Sequence, residues 1–498
     1  MKTFPRVLSR AASWFLAGAL GFLALTSAAH AKVNLLFDGK SLRGWRAAEN
    51  PAAFRVEDGA IVCNGTRGHL FYVGEGDAPA EFENFELTLE VMTRPGANSG
   101  VFFHTAWQDK SWPEQGFEIQ VNNSQKQHGD YLELKMTGSL YGVRNAYKPL
   151  GRDNEWFTMK ITVRRPRVQV HIDGALVVDY VEPVFPLPES APKQNRLGRG
   201  TIALQAHDPD STALYRNIRI RQLPPGEDPS VTRPQVDETG AQVLALAKDN
   251  FPLVDLHTHL KGGLTLEKAL KLSRETGMGL GIATNGGQGF PIQNDAAALA
   301  FLESMKGVPV FLALQAEGRE WVRMFSKETR AKFDYVFTDS MTWTNKAGKR
   351  LRLWIPEESD IGPDVEGFME ELVAQTVKII SEEPIDIYVN PTFLPDSLVS
   401  RADELWTEPR MKKIIDAAVK HQVAIEINAR YKLPSEKFIR LAKAAGAKFT
   451  IGTNNTSDTD YGDWSYPLEM QRKLKLSWKD MWVPGHGPSR AQRELAAR

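Results

Sequence analysis

Asp255-Leu256-His257-Thr258-His259 follows the apolar run Phe251-Pro252-Leu253-Val254, a pattern that predicts a strand ending in two imidazoles. Residues i and i+2 of a strand share a face, so both rings can reach one ion. At the C-terminal mouth of a β/α barrel, where functional side chains emerge from strand ends, such a pair suits metal-dependent hydrolysis. The competing reading is two ordinary histidines beside a turn. The other polar residues at predicted strand ends are Asn285, Glu317, Asp339, Asn390, Glu426 and Asn454.

These residues are placed by an alternation of apolar strands and helical stretches after about residue 245. Helices are expected over Leu266 to Glu275, Asp295 to Met305, Val365 to Ser381, Glu408 to Lys420 and Ser435 to Ala445. Between them lie short apolar runs such as Val308 to Leu314, Ile385 to Val389 and Val423 to Ile427. That is the pattern of a β/α barrel or a related α/β fold. The first half differs, with period-two alternation in Phe85 to Val91, Phe117 to Val121, Phe157 to Val163 and Val168 to Asp173. Alternation broken by Gly, Pro and Asn predicts an antiparallel sandwich, and Asp173-Gly174 is a hairpin turn. Pro224-Pro225-Gly226 through Pro234 breaks both patterns and reads as a linker.

The second half, roughly residues 250 to 485, resembles the PHP family, named for polymerase and histidinol phosphatase. The matching parts are Val254 to His259, the Glu317 segment, Asp334-Tyr335-Val336, Ile425-Glu426-Ile427-Asn428 and Phe449 to Asn454. The resemblance implies a distorted seven-stranded barrel binding two or three metal ions. The chain departs from that pattern at Asn285-Gly286, Met341, Asn390-Pro391 and Asn454-Asn455, where the family has His or Asp ligands. Asparagine offers only a neutral oxygen and binds transition metals weakly, which argues against a trinuclear site. The remaining set of His257, His259, Glu317 and Glu426, with Asp339, suits one divalent ion or a close pair, Zn or Mn.

Residues 35 to 222 resemble the 3-keto-disaccharide hydrolase domain family, a concanavalin-like jelly roll. The match runs in order through Leu36 to Trp45, Phe54 to Ile61, Asn98 to Phe103, Gly116 to Gln120, Thr137 to Tyr141, Lys148-Pro149, Ile202 to His207 and Tyr215 to Arg219. It implies cleavage of a glycoside whose C3 hydroxyl is oxidised to a ketone. The ketone acidifies the C2 proton, so a base removes it, the C1 substituent leaves by elimination, and hydration follows. Such a route needs a base, a group that stabilises the enolate and an acid for the leaving oxygen. Glu118 and Gln120 share one face of a strand, with Glu118 as base or metal ligand and Gln120 as hydroxyl donor. His104, Lys148 and His207 complete the catalytic candidates, His207 paired with Asp208. Asn98 and Tyr141 are candidates for holding substrate, and Tyr141 equally suits a packing role.

Lys2, Arg6 and Arg10 precede an apolar stretch from Trp14 to Leu25 and the small residues up to Ala31, which predicts a secretory leader over residues 1–31. The apolar core is too short to span a bilayer. The leader takes three of the 61 basic residues and none of the 61 acidic ones, leaving a formal charge of −3, which argues against a nucleic-acid partner. The expected product is exported, periplasmic or extracellular, without stable membrane insertion. The full expectation is a β-sandwich over 32–223, a linker over 224–245, a PHP-like barrel over 246–485 and a tail over 486–498. The two resemblances together imply that the sandwich cleaves a 3-keto-glycoside while the barrel performs or supports a metal-dependent hydrolysis. Two alternatives stand beside it: a carbohydrate-binding sandwich with a barrel phosphoesterase or amidohydrolase, and a barrel that is an inactive scaffold.

Overall fold

The computed structural model describes residues 33–76, 80–124, 129–184, 195–359 and 361–497; the predicted leader lies outside them. Alternation in the first half produces two antiparallel sheets, one of eight strands and one of five. The smaller is ordered Trp45–Ala48, Gly68–Tyr72, Thr201–Ala206, Ser99–Thr105, Phe117–Val121, placing the Glu118 strand at its edge. Inward residues such as Leu70, Val101, Phe103, Phe117, Ile119 and Leu204 form the core between the sheets. The hairpin forms as expected, Ile172 opposite Ala175, with φ of 46° at Asp173 and 82° at Gly174. Positive φ at both central residues is what a two-residue turn between twisted strands requires.

In the second half seven parallel strands close a barrel: Val254–Thr258, Gly279–Gly287, Phe311–Glu317, Tyr335–Thr338, Ile387–Tyr388, Ala424–Asn428 and Phe449–Gly452. The predicted helices surround it, for example Leu266–Thr276, capped by the Thr265 side chain and ended by Gly277 at φ 84°. No helix among the described residues is long and apolar enough to cross a membrane.

Two connecting segments are more ordered than their composition suggests. Within 224–245, Arg233 pairs with Glu182 and Glu227, Asn84 donates to the carbonyls of Pro224 and Gly226, and the helix Glu238–Lys248 begins. Within 486–498, the helix Arg490–Ala496 is tied to the barrel, Glu494 pairing with Arg330 and the Arg490 amide donating to Asp386.

The sandwich is docked on the N-terminal end of the barrel, where strands begin. Leu134 and Tyr147 from the sandwich belong to the barrel's apolar core. Tyr147 donates to the Phe251 carbonyl and Asn145 to that of Ala247, while Arg144 caps the end of Leu266–Thr276 through the carbonyls of Arg274 and Glu275. A guanidinium on those last carbonyls satisfies helix acceptors and complements the helix dipole. Lys148 meets Asp334, just before the fourth barrel strand, at 2.7 Å.

Candidate active site

On the edge strand Phe117–Val121 the odd residues enter the sandwich core, which turns Glu118 and Gln120 to the outer face of the smaller sheet. There they line a cleft of about 260 Å³ together with Asn98, Phe102, Trp112, Glu133, Tyr141, Gln205 and His207. The Glu118 carboxylate lies over Gly100 of the neighbouring strand, where a Cβ would stand 2.2 Å from its Oε1. Glycine at 100 therefore makes room for the acid. Gln205 donates to Glu118 Oε1 at 3.2 Å, and Gln120 Nε2 donates to Asn98 Oδ1 at 2.9 Å.

A second carboxylate faces Glu118. Glu133 Oε2 accepts from the hydroxyls of Tyr131 and Tyr141 at 2.7 and 2.8 Å, and its Oε1 accepts from the backbone N and the Nζ of Lys135. The Lys135 ammonium, 1% exposed, lies 4.5 Å from the centre of the Tyr141 ring. Burial, reinforced by the nearby Glu133, pushes the Glu118 carboxyl up to about 8, against the opposing pull of Gln205 and Lys135. A carboxyl titrating near neutrality is suited to proton transfer in both directions.

His207, at the end of the strand Thr201–Ala206, holds Asp208 through Nδ1 at 2.8 Å and leans on the Trp112 ring at 5.3 Å. The carboxylate thereby orients the imidazole and directs Nε2 to proton exchange. His69 makes an edge contact with Trp112 on the other side, and burial pushes its imidazole down to about 4.

Two expected catalytic residues lie elsewhere. Lys148 is engaged by Asp334 at the barrel, outside the cleft lining, because the chain leaves the sheet after Tyr141 and runs along the barrel. His104 is buried at φ 56° with its Nε2 bonded to the Glu83 carbonyl and its Nδ1 accepting from the Gly198 amide. Both ring nitrogens serve backbone groups, and burial pushes the ring down to about 4. Its role is to join loops.

At the barrel's other end the strand-end residues do come together. His257 Nδ1 meets Glu426 Oε1 at 2.6 Å, its Nε2 meets Gln315, and the His257 and His259 rings are 5.2 Å apart. The asparagines, however, turn their amide donors onto the carboxylates. Asn285 donates to Glu317, Asn390 to Asp339, and Asn428 to Glu426, whose Oε2 also accepts the Asn390 backbone amide. Burial raises both Glu317, to about 8, and Asp339, and the two repel each other's charge. Among the described residues no three His, Cys, Asp or Glu side chains converge at metal-ligating spacing. In this arrangement the carboxylates accept from neutral amides, and both His257 nitrogens are engaged by Glu426 and Gln315.

A family described as the 3-keto-alpha-glucoside-1,2-lyase-like domain matches residues 32–221. A 3-keto-disaccharide hydrolase of Bacteroides thetaiotaomicron is 38% identical, covering 38% of this chain and 77% of that protein. The chain belongs to this family. Among solved structures, a provisionally described glycosyl hydrolase of Parabacteroides distasonis is 21% identical over 39% of this chain and 94% of its own, with a TM-score of 0.33. A carbohydrate-binding module of Bacillus subtilis is 14% identical over 36% and 96%, with a TM-score of 0.25.

Within this 3-keto-glucoside lyase-like domain the cleft contains residues that sequence reasoning did not single out. Glu133, Lys135 and Tyr131 sit in Tyr131-Leu132-Glu133-Leu134-Lys135. The alternation there was the signal: Leu132 and Leu134 pack on the barrel core while the polar residues between them face the cleft cluster. Gln205 lies in the Ile202 to His207 stretch of the resemblance, two residues before His207 and opposite in facing to the core residues Ile202 and Leu204, whereas Trp112 and His69 had no comparable mark.

Proposed function

We propose that the sandwich cleaves a 3-keto-glycoside by proton abstraction at C2 and departure of the C1 substituent. The observation that carries this reading is Glu118, a carboxyl raised to about 8 and facing the same cleft as the His207–Asp208 pair. Glu118 takes the C2 proton, the electron pair forms the C1–C2 double bond, and the C1–O bond breaks. His207 Nε2 gives a proton to the leaving oxygen. Water then adds across the double bond, the oxygen going to C1 and a proton returning to C2, so that the net reaction is hydrolysis. Asn98, held by Gln120, presents its amide to the developing C3 oxyanion, where a fixed donor acts most strongly. Trp112 and Tyr141 offer ring faces to the sugar.

The family membership of residues 32–221 and the name of the Bacteroides relative support a carbohydrate hydrolase here. An exported setting accords with the leader predicted before Lys32, and amino-terminal sequencing of the secreted protein checks it. The seven-stranded barrel acts in this reading without a bound metal, as a support for the sandwich.

The test is Glu118→Gln in the full chain, assayed on a p-nitrophenyl 3-keto-glucoside and on the unoxidised glucoside. The wild type is expected to cleave only the ketone, and E118Q to lose about a thousandfold or more in kcat while staying folded, the scale of losing a general base together with its positioning. Undiminished turnover by E118Q overturns the assignment.

A further inference from the structure

The lining of the cleft does not end with the sandwich. Lys135 is an ammonium with almost no access to water, and such a charge is tolerated only where acceptors surround it. One acceptor is Glu133 Oε1 at 3.2 Å; another is Oδ1 of Asn250, at 3.1 Å, which comes from the barrel. Asn250 stands between the helix Glu238–Lys248 and the first barrel strand, at φ 60°, a left-handed conformation asparagine tolerates better than most residues. Its amide holds the chain on both sides of Glu133. Oδ1 also accepts the Leu134 N–H at 3.1 Å, and Nδ2 donates to the Leu132 carbonyl at 2.8 Å.

We propose that Asn250 is a positioning residue for the sandwich's reaction, the barrel reaching across the docking surface to fix Lys135, and through it Glu133, beside Glu118. The inference rests on the reading of the cleft given above. Lys135 is faced by Glu133, Glu118 and the ring of Tyr141 from the sandwich, and by Asp249 from the barrel. Its positive charge favours the ionised form of Glu118, and Glu133 opposes that form. An ammonium released from Asn250 no longer balances Glu133, and Glu118 holds its proton to higher pH. Residues of the barrel thereby set the pH at which a base on the other domain becomes active.

The experiment compares wild type, Asn250→Gly and Asn250→Asp in the full chain, measuring kcat for the p-nitrophenyl 3-keto-glucoside against pH. Glycine keeps the left-handed backbone and removes the acceptor, whereas aspartate keeps the acceptor. N250G is expected to move the ionisation near pH 8 upward by about one unit and lower kcat at neutral pH about tenfold, the scale set by one nearby opposite charge. N250D keeps Lys135 engaged but adds a carboxylate that offsets its charge, so it is expected to move the ionisation upward as well, and an unshifted N250D profile overturns the inference. A wild-type pH profile in a folded N250G overturns the inference while leaving the cleft reading intact. Absence of turnover by the wild type overturns both. Should N250G fail to fold, Lys135→Met decides: it must show the same upward shift, and an unshifted profile means that nothing acting through Lys135, Asn250 included, reaches the reaction.

Discussion

At Gly100 a single hydrogen atom leaves room for the Glu118 carboxylate, since the Cβ of any other residue would meet Glu118 Oε1 at 2.2 Å. Gly100→Ala is therefore expected to leave the sandwich folded and lower kcat by about a hundredfold, the cost of moving a catalytic group by roughly an ångström. Circular dichroism and turnover on the same sample check it. Glu118 also makes a prediction about stability. Its folded value of about 8 lies above the ordinary 4.5, so between these limits the unfolded chain has lost a proton that the native one keeps. Stability from this group is full below pH 4.5 and is lost as pH rises through 8. Wild type is accordingly expected to lose more stability than E118Q between pH 5 and 8 in urea titrations, and equal losses would sink the assignment. Glu118, Gln120, Asn98, Tyr141 and His207 were legible in the sequence because strand alternation and motif order fix a face. His104 and Lys148 were misplaced because a residue type in a family motif says nothing about which neighbours fill its hydrogen bonds.

At the scale of elements, the segment from Tyr131 to Lys148 does two jobs. Its polar side chains face the cleft, and Leu134, Tyr147 and Lys148 dock on the barrel. The hydrophobic period that marks regular strands and helices was readable, and the barrel helices fall within a residue or two of where their caps and spacing put them. The helices Glu238–Lys248 and Arg490–Ala496 were hidden, the first under proline-rich linker composition and the second in a terminal segment. Their order comes from long-range partners such as Asn145, Arg330 and Asp386, which no local pattern reveals. Asp334 illustrates the energetics, since its Oδ2 accepts both Lys148 Nζ and the Leu312 amide at 2.7 Å each. Asp334→Ala leaves both donors without their acceptor and is expected to cost about 2 kcal/mol, read as a lower urea midpoint.

For the whole molecule, the barrel's strand-end cluster and the sandwich's cleft lie on separate sides of the docking surface. The sequence correctly brought His257, His259, Glu317, Asp339 and Glu426 to one end, because barrel strands deliver their C-terminal residues there. It did not reveal that Asn285, Asn390 and Asn428 would spend their amides on those carboxylates. Plasma mass spectrometry of the purified protein is therefore expected to find Zn and Mn far below one equivalent, and chelator treatment to leave the thermal midpoint unchanged. A tightly held equivalent of either metal would refute the hydrogen-bonded description of this cluster.

Docking at the N-terminal end has a consequence for descent. Asn250 and Asp334 answer to a partner surface through their side chains, as the Phe251 carbonyl and the last turn of Leu266–Thr276 do through the backbone, so a change in either side chain must be matched by a change in the sandwich. The opposite mouth is answerable only to itself. In lineages that carry both domains, the docking end should change slowly and in correlated pairs while the mouth drifts freely, so one barrel keeps two evolutionary clocks.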